Sequence, residues 1–308
     1  MNQGNAHRGQ RTGGNRLIRR TALACLLALA PCFTPAQTPG PHGIFRPAVT
    51  GQFDELHRPA YIPAAQARLQ DKDPVCGLVV GNTVRCYPLR QLWYHHVVND
   101  TFGGQRLALT YCIMAHTATT VVMGETSAGL KVGGIEAGTL VLGDCGTTTA
   151  LWPQIRPDLA AAGQTTGPVL LLGPQPVLTT WGQWRKAHPN TEVLAPVEKY
   201  EFQYSLYDGR PKGFRAPIVE STVSRLDPRL EPDVEVFGIH HGEDSVALPL
   251  KSLSSASETS VTVGGTPVRI GWNATLAHPE ILSPPGLFGT RARWFSWSSY
   301  YPQTRLLP

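Results

Sequence analysis

Long apolar runs are absent from this 308-residue sequence. A membrane-spanning helix needs about twenty consecutive apolar residues, and the longest run, Thr21 to Ala30, is too short for one. Charged residues are also scarce, at 16% of the chain, and beyond the first 36 residues neither sign is in excess. The sequence therefore predicts no transmembrane segment in the mature protein and no nucleic-acid partner.

The basic charge of the chain is concentrated at its N-terminus. All five charged residues among the first 36 are arginines: Arg8, Arg11, Arg16, Arg19 and Arg20. Without those five, the 27 bases become 22, which equals the 22 acids. The basic isoelectric point is thus a property of this leader rather than of the body.

Residues 1–36 have the order of a secretory signal peptide: a basic stretch, the apolar run, and small residues at Thr34-Pro35-Ala36. We expect cleavage after Ala36 and an exported protein, periplasmic or secreted. Arg19-Arg20 would instead suit twin-arginine export, and Cys32 would suit lipid attachment, but the flanking residues fit both patterns poorly.

Cysteine is scarce, with six residues in the chain. Removal of the leader leaves Cys76, Cys86, Cys112 and Cys145. In an oxidising compartment, four cysteines most simply form two disulfides. Cys76 and Cys86 flank a predicted hairpin turn, which favours one bridge between them and a second between Cys112 and Cys145, with the other pairings left open.

The chain contains an internal repeat. Val75 to Gly81 aligns without a gap with Val236 to Gly242, a shift of 161 positions (236 − 75). The same shift aligns Arg68-Leu69 with Arg229-Leu230, Pro88-Leu89 with Pro249-Leu250, and Gly103-Gly104 with Gly264-Gly265. One register kept over this length indicates two diverged copies of one unit.

Each unit is expected to be a hairpin, a short helix and a second hairpin. In the first copy, β-type runs flank the turn at Gly81-Asn82, Pro88 starts the helix, and Gly103-Gly104 joins the next two strands. Trp181 to Pro189 predicts a connecting helix, and Tyr200 to Tyr207 a loop.

The predicted fold class is β-rich α+β, with two copies of a hairpin-helix-hairpin unit packed into one body. The expected parts are a signal peptide (1–36), an extended arm (37–63), a first copy with its connecting helix and loop (64–225) and a second copy (226–308).

The chain resembles the bacterial domain of unknown function 3179 family over about residues 53 to 304. The resemblance rests on Arg58 to Ala64, Asp73-Pro74-Val75, Tyr87-Pro88-Leu89, His95 with Asn99-Asp100, Tyr111-Cys112, Asp144 with Trp152, Trp294 to Trp297, and Tyr301-Pro302. It implies no activity. Where the family usually has Tyr-Cys-Pro-Leu-Cys, this chain has Ala115 in place of the second cysteine, so a thioredoxin-like dithiol is not expected.

Candidate site residues are concentrated in the first copy. His95, His96, Asn99, Asp100, Cys112 and His116 align with Ala256, Ser257, Ser260, Val261, Asn273 and Ala277. The polar groups are thus absent from the second copy, which places the function in the first. Our leading hypothesis is a metal-binding or redox-linked protein centred on His95, Cys112 and His116.

In that hypothesis Cys112 and His116 bind copper or zinc together with His95 or His96, and a thioether from Met114 or Met123 would favour copper.

A second hypothesis makes Cys112 a catalytic nucleophile. A nearby imidazole such as His95 would activate its thiolate, and Asn99 or Asp100 would orient that imidazole.

A third hypothesis is a non-enzymatic binding module, held by the two disulfides, for a small ligand or a periplasmic protein partner. His95 and His96 would then be helix-end residues and Asn99-Asp100 a backbone turn.

Overall fold

Short strands make up most of the regular structure, as their spacing along the sequence predicts. The computed structural model describes residues 37–49, 51–147, 150–159, 161, 169–210 and 213–308. The expected signal peptide, residues 1–36, lies outside these residues. Within the described ranges, no helix has the length and apolarity needed to cross a membrane.

The described part of residues 37–225 contains fifteen strands. They are β1 (Thr38–Pro39), β2 (Ile44–Pro47), β3 (Leu56–His57), β4 (Tyr61–Pro63), β5 (Pro74–Val80), β6 (Thr83–Pro88), β7 (Val97–Phe102), β8 (Gln105–Cys112), β9 (Thr117–Val122), β10 (Leu130–Glu136), β11 (Thr139–Asp144), β12 (Leu151–Pro153), β13 (Leu171–Leu172), β14 (Val177–Thr180) and β15 (Glu192–Leu194). The helices here are α1 (Leu89–His95), α2 (Trp181–Ala187), α3 (Glu201–Ser205) and α4 (Pro217–Glu220), with 3-10 turns at Ala64–Gln66 and Glu198–Tyr200.

Residues 226–308 follow a similar order. The strands are β16 (Glu235–His241), β17 (Asp244–Pro249), β18 (Glu258–Val263), β19 (Thr266–Asn273), β20 (His278–Ser283), β21 (Gly289–Arg293) and β22 (Arg305–Leu306). The helices are α5 (Leu250–Ser255) and α6 (Trp294–Tyr300).

The predicted hairpins form where glycines permit a left-handed backbone. Gly81 has a φ of 57° between β5 and β6, and Gly242 has a φ of 61° between β16 and β17. Pro88 and Pro249 end these hairpins and are the N-cap residues of α1 and α5. A proline there loses no helical hydrogen bond, because the first N–H groups of a helix have no partner within it.

The β5–β6 hairpin and the β16–β17 hairpin each lie at the centre of a sheet. In each sheet, a strand-helix-strand element adds one strand on either side of the hairpin. In the first, β14 pairs antiparallel with β5, and β15 pairs parallel with β6. In the second, β21 pairs antiparallel with β16, and β22 pairs parallel with β17. The intervening helices α2 and α6 lay Trp184 over Gly77 and Trp297 over Gly238, where a Cβ atom would lie only 2.1 and 2.3 Å from the ring. Glycine at these two positions is therefore required by the tryptophans.

The remaining strands form three further sheets. Two belong to residues 37–172, with the strand orders β1-β2-β10-β11-β12 and β13-β9-β8-β7-β3, and the third has the order β18-β19-β20. The core of the first two sheets includes Phe295, which is contributed by α6 from the other end of the chain.

The expectation of a β-rich fold is confirmed, and two local expectations need correction. Strands β2, β3 and β4 of the arm pair with β10, β7 and β15, so the arm adds edges to three sheets. The segment from Tyr200 to Tyr207, expected as a loop, contains α3, with Tyr204 buried against α1.

Candidate functional site

His95 has no free nitrogen with which to bind a metal or act as a base. The residue is fully buried, its Nδ1 lies 2.5 Å from the Asp54 carbonyl oxygen, and its Nε2 lies 2.6 Å from the Tyr204 hydroxyl. Because a carbonyl oxygen only accepts, Nδ1 carries the proton and Nε2 accepts from Tyr204. His95 thus fixes the arm and α3 against α1.

His116 also has a protein partner. Its Nδ1 donates to the Glu235 carboxylate, which lies on β16 and also accepts from Nε of Arg291 at 3.0 Å. Burial lowers the pKa of His116, against the opposing effect of Glu235. The structure therefore places His116 in a contact between residues 64–225 and 226–308.

Asn99 and Asp100 act on the backbone and on Arg85. Asn99 donates to the Leu130 carbonyl oxygen and accepts from the Leu130 N–H, both at 2.8 Å. Asp100 accepts from Arg85 Nη1 and from the Tyr61 hydroxyl, both at 2.7 Å. Neither residue orients an imidazole, as the nucleophile hypothesis requires.

His96 and Cys112 line the same apolar cavity. The thiol of Cys112 lies 4.0 Å from the Gly138 carbonyl oxygen, and burial raises its pKa. Cys112 is therefore a protonated thiol at neutral pH, which does not favour the nucleophile hypothesis.

The four cysteines of the body are free thiols. In the hairpin, Cys76 lies opposite Tyr87, and Cys86 lies opposite Gly77. Side chains alternate between the faces of a strand, so Cys76 and Cys86 project from opposite faces. They accordingly belong to different core clusters, one with Tyr87 and the other with Trp184. This arrangement does not support the expected cross-strand bridge.

We expect alkylation under denaturing, non-reducing conditions to modify Cys76 and Cys86 separately, as measured by mass spectrometry of the peptides. Without denaturant, Cys145 should react before the other three, because it alone among the four is not fully buried. A peptide pair linked through Cys76 and Cys86 would contradict this prediction.

Glu55, His57 and Cys145 form a group that could hold a metal ion. One ligand atom from each lies within 4.8 Å of the others, and no second such group of His, Cys, Asp and Glu residues occurs in the described part of the chain. Glu55 Oε1 lies 3.4 Å from His57 Nε2 and 3.6 Å from Cys145 Sγ. In a tetrahedral zinc site with bonds of about 2.0 Å to N or O and about 2.3 Å to S, neighbouring ligand atoms lie about 3.3–3.5 Å apart. The two distances from Glu55 are close to those of a zinc site.

The fold brings these three side chains together from two distant segments. Glu55 and His57 are two residues apart on extended backbone and so project to the same side. The Cys145 N–H bonds to the Gly129 carbonyl oxygen at 2.9 Å, which fixes the turn after β11. Gly129 has a φ of 117°, and a Cβ atom there would lie 2.8 Å from the His57 ring. Glycine at 129 therefore leaves the space that the His57 ring occupies.

The environment of the group keeps Cys145 protonated when no metal is bound. Burial and the neighbouring Glu55 carboxylate raise the pKa of Cys145 to about 12. The His57 side chain is 45% exposed and Glu55 is 24% exposed. His57 also lines a polar cavity of about 440 Å³, together with Arg58, Asn99 and Asp100. A metal ion held by these three ligands would have a fourth coordination position accessible from solvent.

The sequence contained a partial signal for this group. The pair Asp54-Glu55 reads as a loop, yet Glu55-Leu56-His57 places an acid and an imidazole on one side of an extended chain. Cys145 is about 90 residues away. Its position beside them depends on the pairing of β3 with β7 and on the turn at Gly129, which the sequence alone does not predict.

The comparisons with known proteins give a family but no activity. A family model described as "Protein of unknown function (DUF3179)" matches residues 50–283, which include Glu55, His57 and Cys145 as well as His96 and Cys112. Searches of curated proteins and of solved structures found no match.

Proposed function

The chain belongs to the DUF3179 family of proteins of unknown function, and from that premise we propose that it binds a divalent transition metal through Glu55, His57 and Cys145. Zn²⁺ is the favoured ion, since thiolate, imidazole and carboxylate are its usual ligands. The observation that carries this proposal is the spacing of the three ligand atoms. It moves the metal site of our sequence hypothesis from His95, Cys112 and His116 to another part of the same region.

The proposed ion would replace the thiol proton of Cys145, which is donated to Glu55 in the absence of metal. The Cys145 thiol donates to Glu55 Oε1, and the same oxygen lies within reach of the His57 imidazole. A bound Zn²⁺ would polarise a ligand or water at the open position. The adjacent polar cavity offers Arg58 and Asp100 to a bound molecule.

Zinc titration against a chromophoric chelator tests this proposal. We expect one equivalent of Zn²⁺ per chain, with affinity at least tenfold lower in each of His57→Ala and Cys145→Ser, because each loses a direct ligand. Zn²⁺ should also raise the melting temperature of the wild type but not of these variants.

His241→Ala is the matched control. His241 is an exposed imidazole at the tip of the β16–β17 hairpin, outside the proposed site. Its removal should leave the zinc affinity unchanged. Binding that survives His57→Ala and Cys145→Ser but is lost in His241→Ala would refute the proposed ligands.

We propose further that the protein is exported and that residues 64–225 and 226–308 are diverged copies. Export is supported by the order of residues in the leader. Duplication is supported by the shift of 161 positions, which relates β5 to β16 and α1 to α5 (235 − 74 and 250 − 89). The pairing of Trp184 with Gly77 and of Trp297 with Gly238 supports it independently.

A further inference from the structure

A cavity of about 310 Å³ lies between the arm (residues 37–63) and the sheets of residues 64–225. Apolar side chains form most of its wall, including Phe53, Trp93, Ile113, Val132, Ile135 and Leu140. A volume of this size is at the lower end of the range for small-molecule sites. The cavity is thus large enough for a molecule with one or two rings.

His96 supplies the cavity with a hydrogen-bond acceptor. Its Nδ1 lies 2.9 Å from the Tyr111 carbonyl oxygen, so Nδ1 carries the proton and Nε2 has the lone pair. Within the described part of the chain, no residue hydrogen-bonds to Nε2, and the ring is about nine-tenths buried where it lines the cavity. Burial lowers the pKa of His96 to about 4, so the imidazole is neutral at physiological pH.

The backbone holds this ring in an unusual position. His96 follows α1 with φ 59° and ψ −33°, a conformation that side-chain-bearing residues rarely adopt. Its N–H bonds to the Leu92 carbonyl oxygen, and its own carbonyl oxygen accepts from the Tyr111 N–H, both at 2.8 Å. Strain of this kind persists only where the surrounding structure fixes it, and it is found preferentially at binding sites.

The other groups around the cavity limit what it can hold. Arg46 is the one charged residue in the described lining, and the Cys112 thiol is neutral, because burial raises its pKa. The Phe53 ring meets the His96 ring edge-on, with centroids 4.7 Å apart, which leaves a surface suited to another ring. Gln52 and Ile218 line the cavity and are exposed, so a molecule can enter from solvent there.

We propose that this cavity binds a small neutral phenol, with the ring against Phe53 and Trp93 and the hydroxyl donating to Nε2 of His96. The acceptor at the wall selects for the hydroxyl, since an apolar molecule of equal shape would leave Nε2 without a partner. The site is separate from Glu55, His57 and Cys145, and it requires no metal.

Titration with p-cresol and with toluene, followed by NMR of the backbone amides around Cys112, tests the proposal. We expect p-cresol to bind about fivefold more tightly than toluene, the usual gain from one hydrogen bond. In His96→Phe, which keeps a ring but removes Nε2, the two affinities should become equal. Equal affinities in the wild type, or a preference that persists in His96→Phe, would overturn it.

Two further variants guard this test against a general loss of structure. His188→Phe replaces another imidazole, which packs on Trp184 outside the cavity, and should leave the preference for p-cresol intact. Ile218→Trp narrows the mouth at a side chain that is 41% exposed and therefore tolerant of change. It should weaken both ligands at least fivefold, and unchanged binding of both would place them elsewhere on the protein.

Discussion

Phe295→Ala is expected to lower the free energy of unfolding by about 3–5 kcal/mol, the usual cost of deleting a buried aromatic ring. Phe295 is fully buried, although it lies on a helix near the C-terminus. Its ring packs in the core of residues 64–225, with Cys112 and Leu142, and a Cβ atom on Gly138 would lie 2.4 Å from it. Removal of the ring would therefore leave a cavity in this core.

Urea denaturation of the purified protein measures this effect, and Phe202→Ala is the matched control. The Phe202 side chain is 72% exposed, so its removal should leave the stability nearly unchanged. An equal effect of the two substitutions would contradict the packing described for α6.

The position of Phe295 also explains how residues 226–308 support residues 64–225. From the same helix, Ser296 bonds to Thr139, and the Tyr300 hydroxyl donates to the Glu136 carbonyl oxygen at 3.1 Å. A chain that ends near Arg225 lacks all of these contacts and exposes the core around Cys112. We therefore expect it not to unfold cooperatively.

The local elements were predictable because they depend on residues close in sequence. Glycines at 81 and 103 allow the left-handed angles that the two turns need, and Pro88 starts a helix at the position where its missing N–H has no cost. Alternating apolar residues between these points then determine the strands. Such rules use only a few neighbouring residues at a time.

The connections between distant segments were not predictable in the same way. The likeness of α2 to α6 is at a shift of 113 positions (294 − 181), so an alignment held at 161 cannot reveal it. The structure shows the likeness of the two helices, because each places a tryptophan on a glycine of its sheet. A change in the spacing between two similar segments removes the constant register on which sequence comparison depends.

The candidate site shows the same limit. His95 and His96 are adjacent and equally polar, yet one is enclosed by Asp54 and Tyr204 while the other presents a nitrogen to a cavity. The difference arises because the chain leaves α1 between them with a positive φ at His96. The sequence identifies both histidines as candidate site residues. Only their hydrogen bonds show that His95 has a structural role and that His96 has a nitrogen free to bind a ligand.

Glu235→Gln is expected to cost about 3 kcal/mol at neutral pH. Burial tends to raise the pKa of Glu235, but the hydrogen bond from His116 and the charge of Arg291 outweigh it and lower the pKa from 4.5 to about 2. A difference of this size between folded and unfolded states corresponds to about 3 kcal/mol, since each pKa unit is worth about 1.4 kcal/mol. The side chain is 24% exposed, so solvent screens this ion pair only in part.

The pH dependence of the same variant gives a sharper test. Because the folded-state pKa is the lower one, the stabilisation by Glu235 is complete above about pH 4.5 and is lost as the pH falls towards 2. The stability difference between wild type and Glu235→Gln should therefore shrink over that interval.

Glu258→Gln is the matched control, because Glu258 forms a similar cross-strand pair with Arg269 at the surface. Solvent screens that pair, so its loss should change stability little at any pH. If the stability difference between wild type and Glu235→Gln stayed constant from pH 7 to pH 2, the charge of Glu235 would not stabilise the contact between residues 64–225 and 226–308.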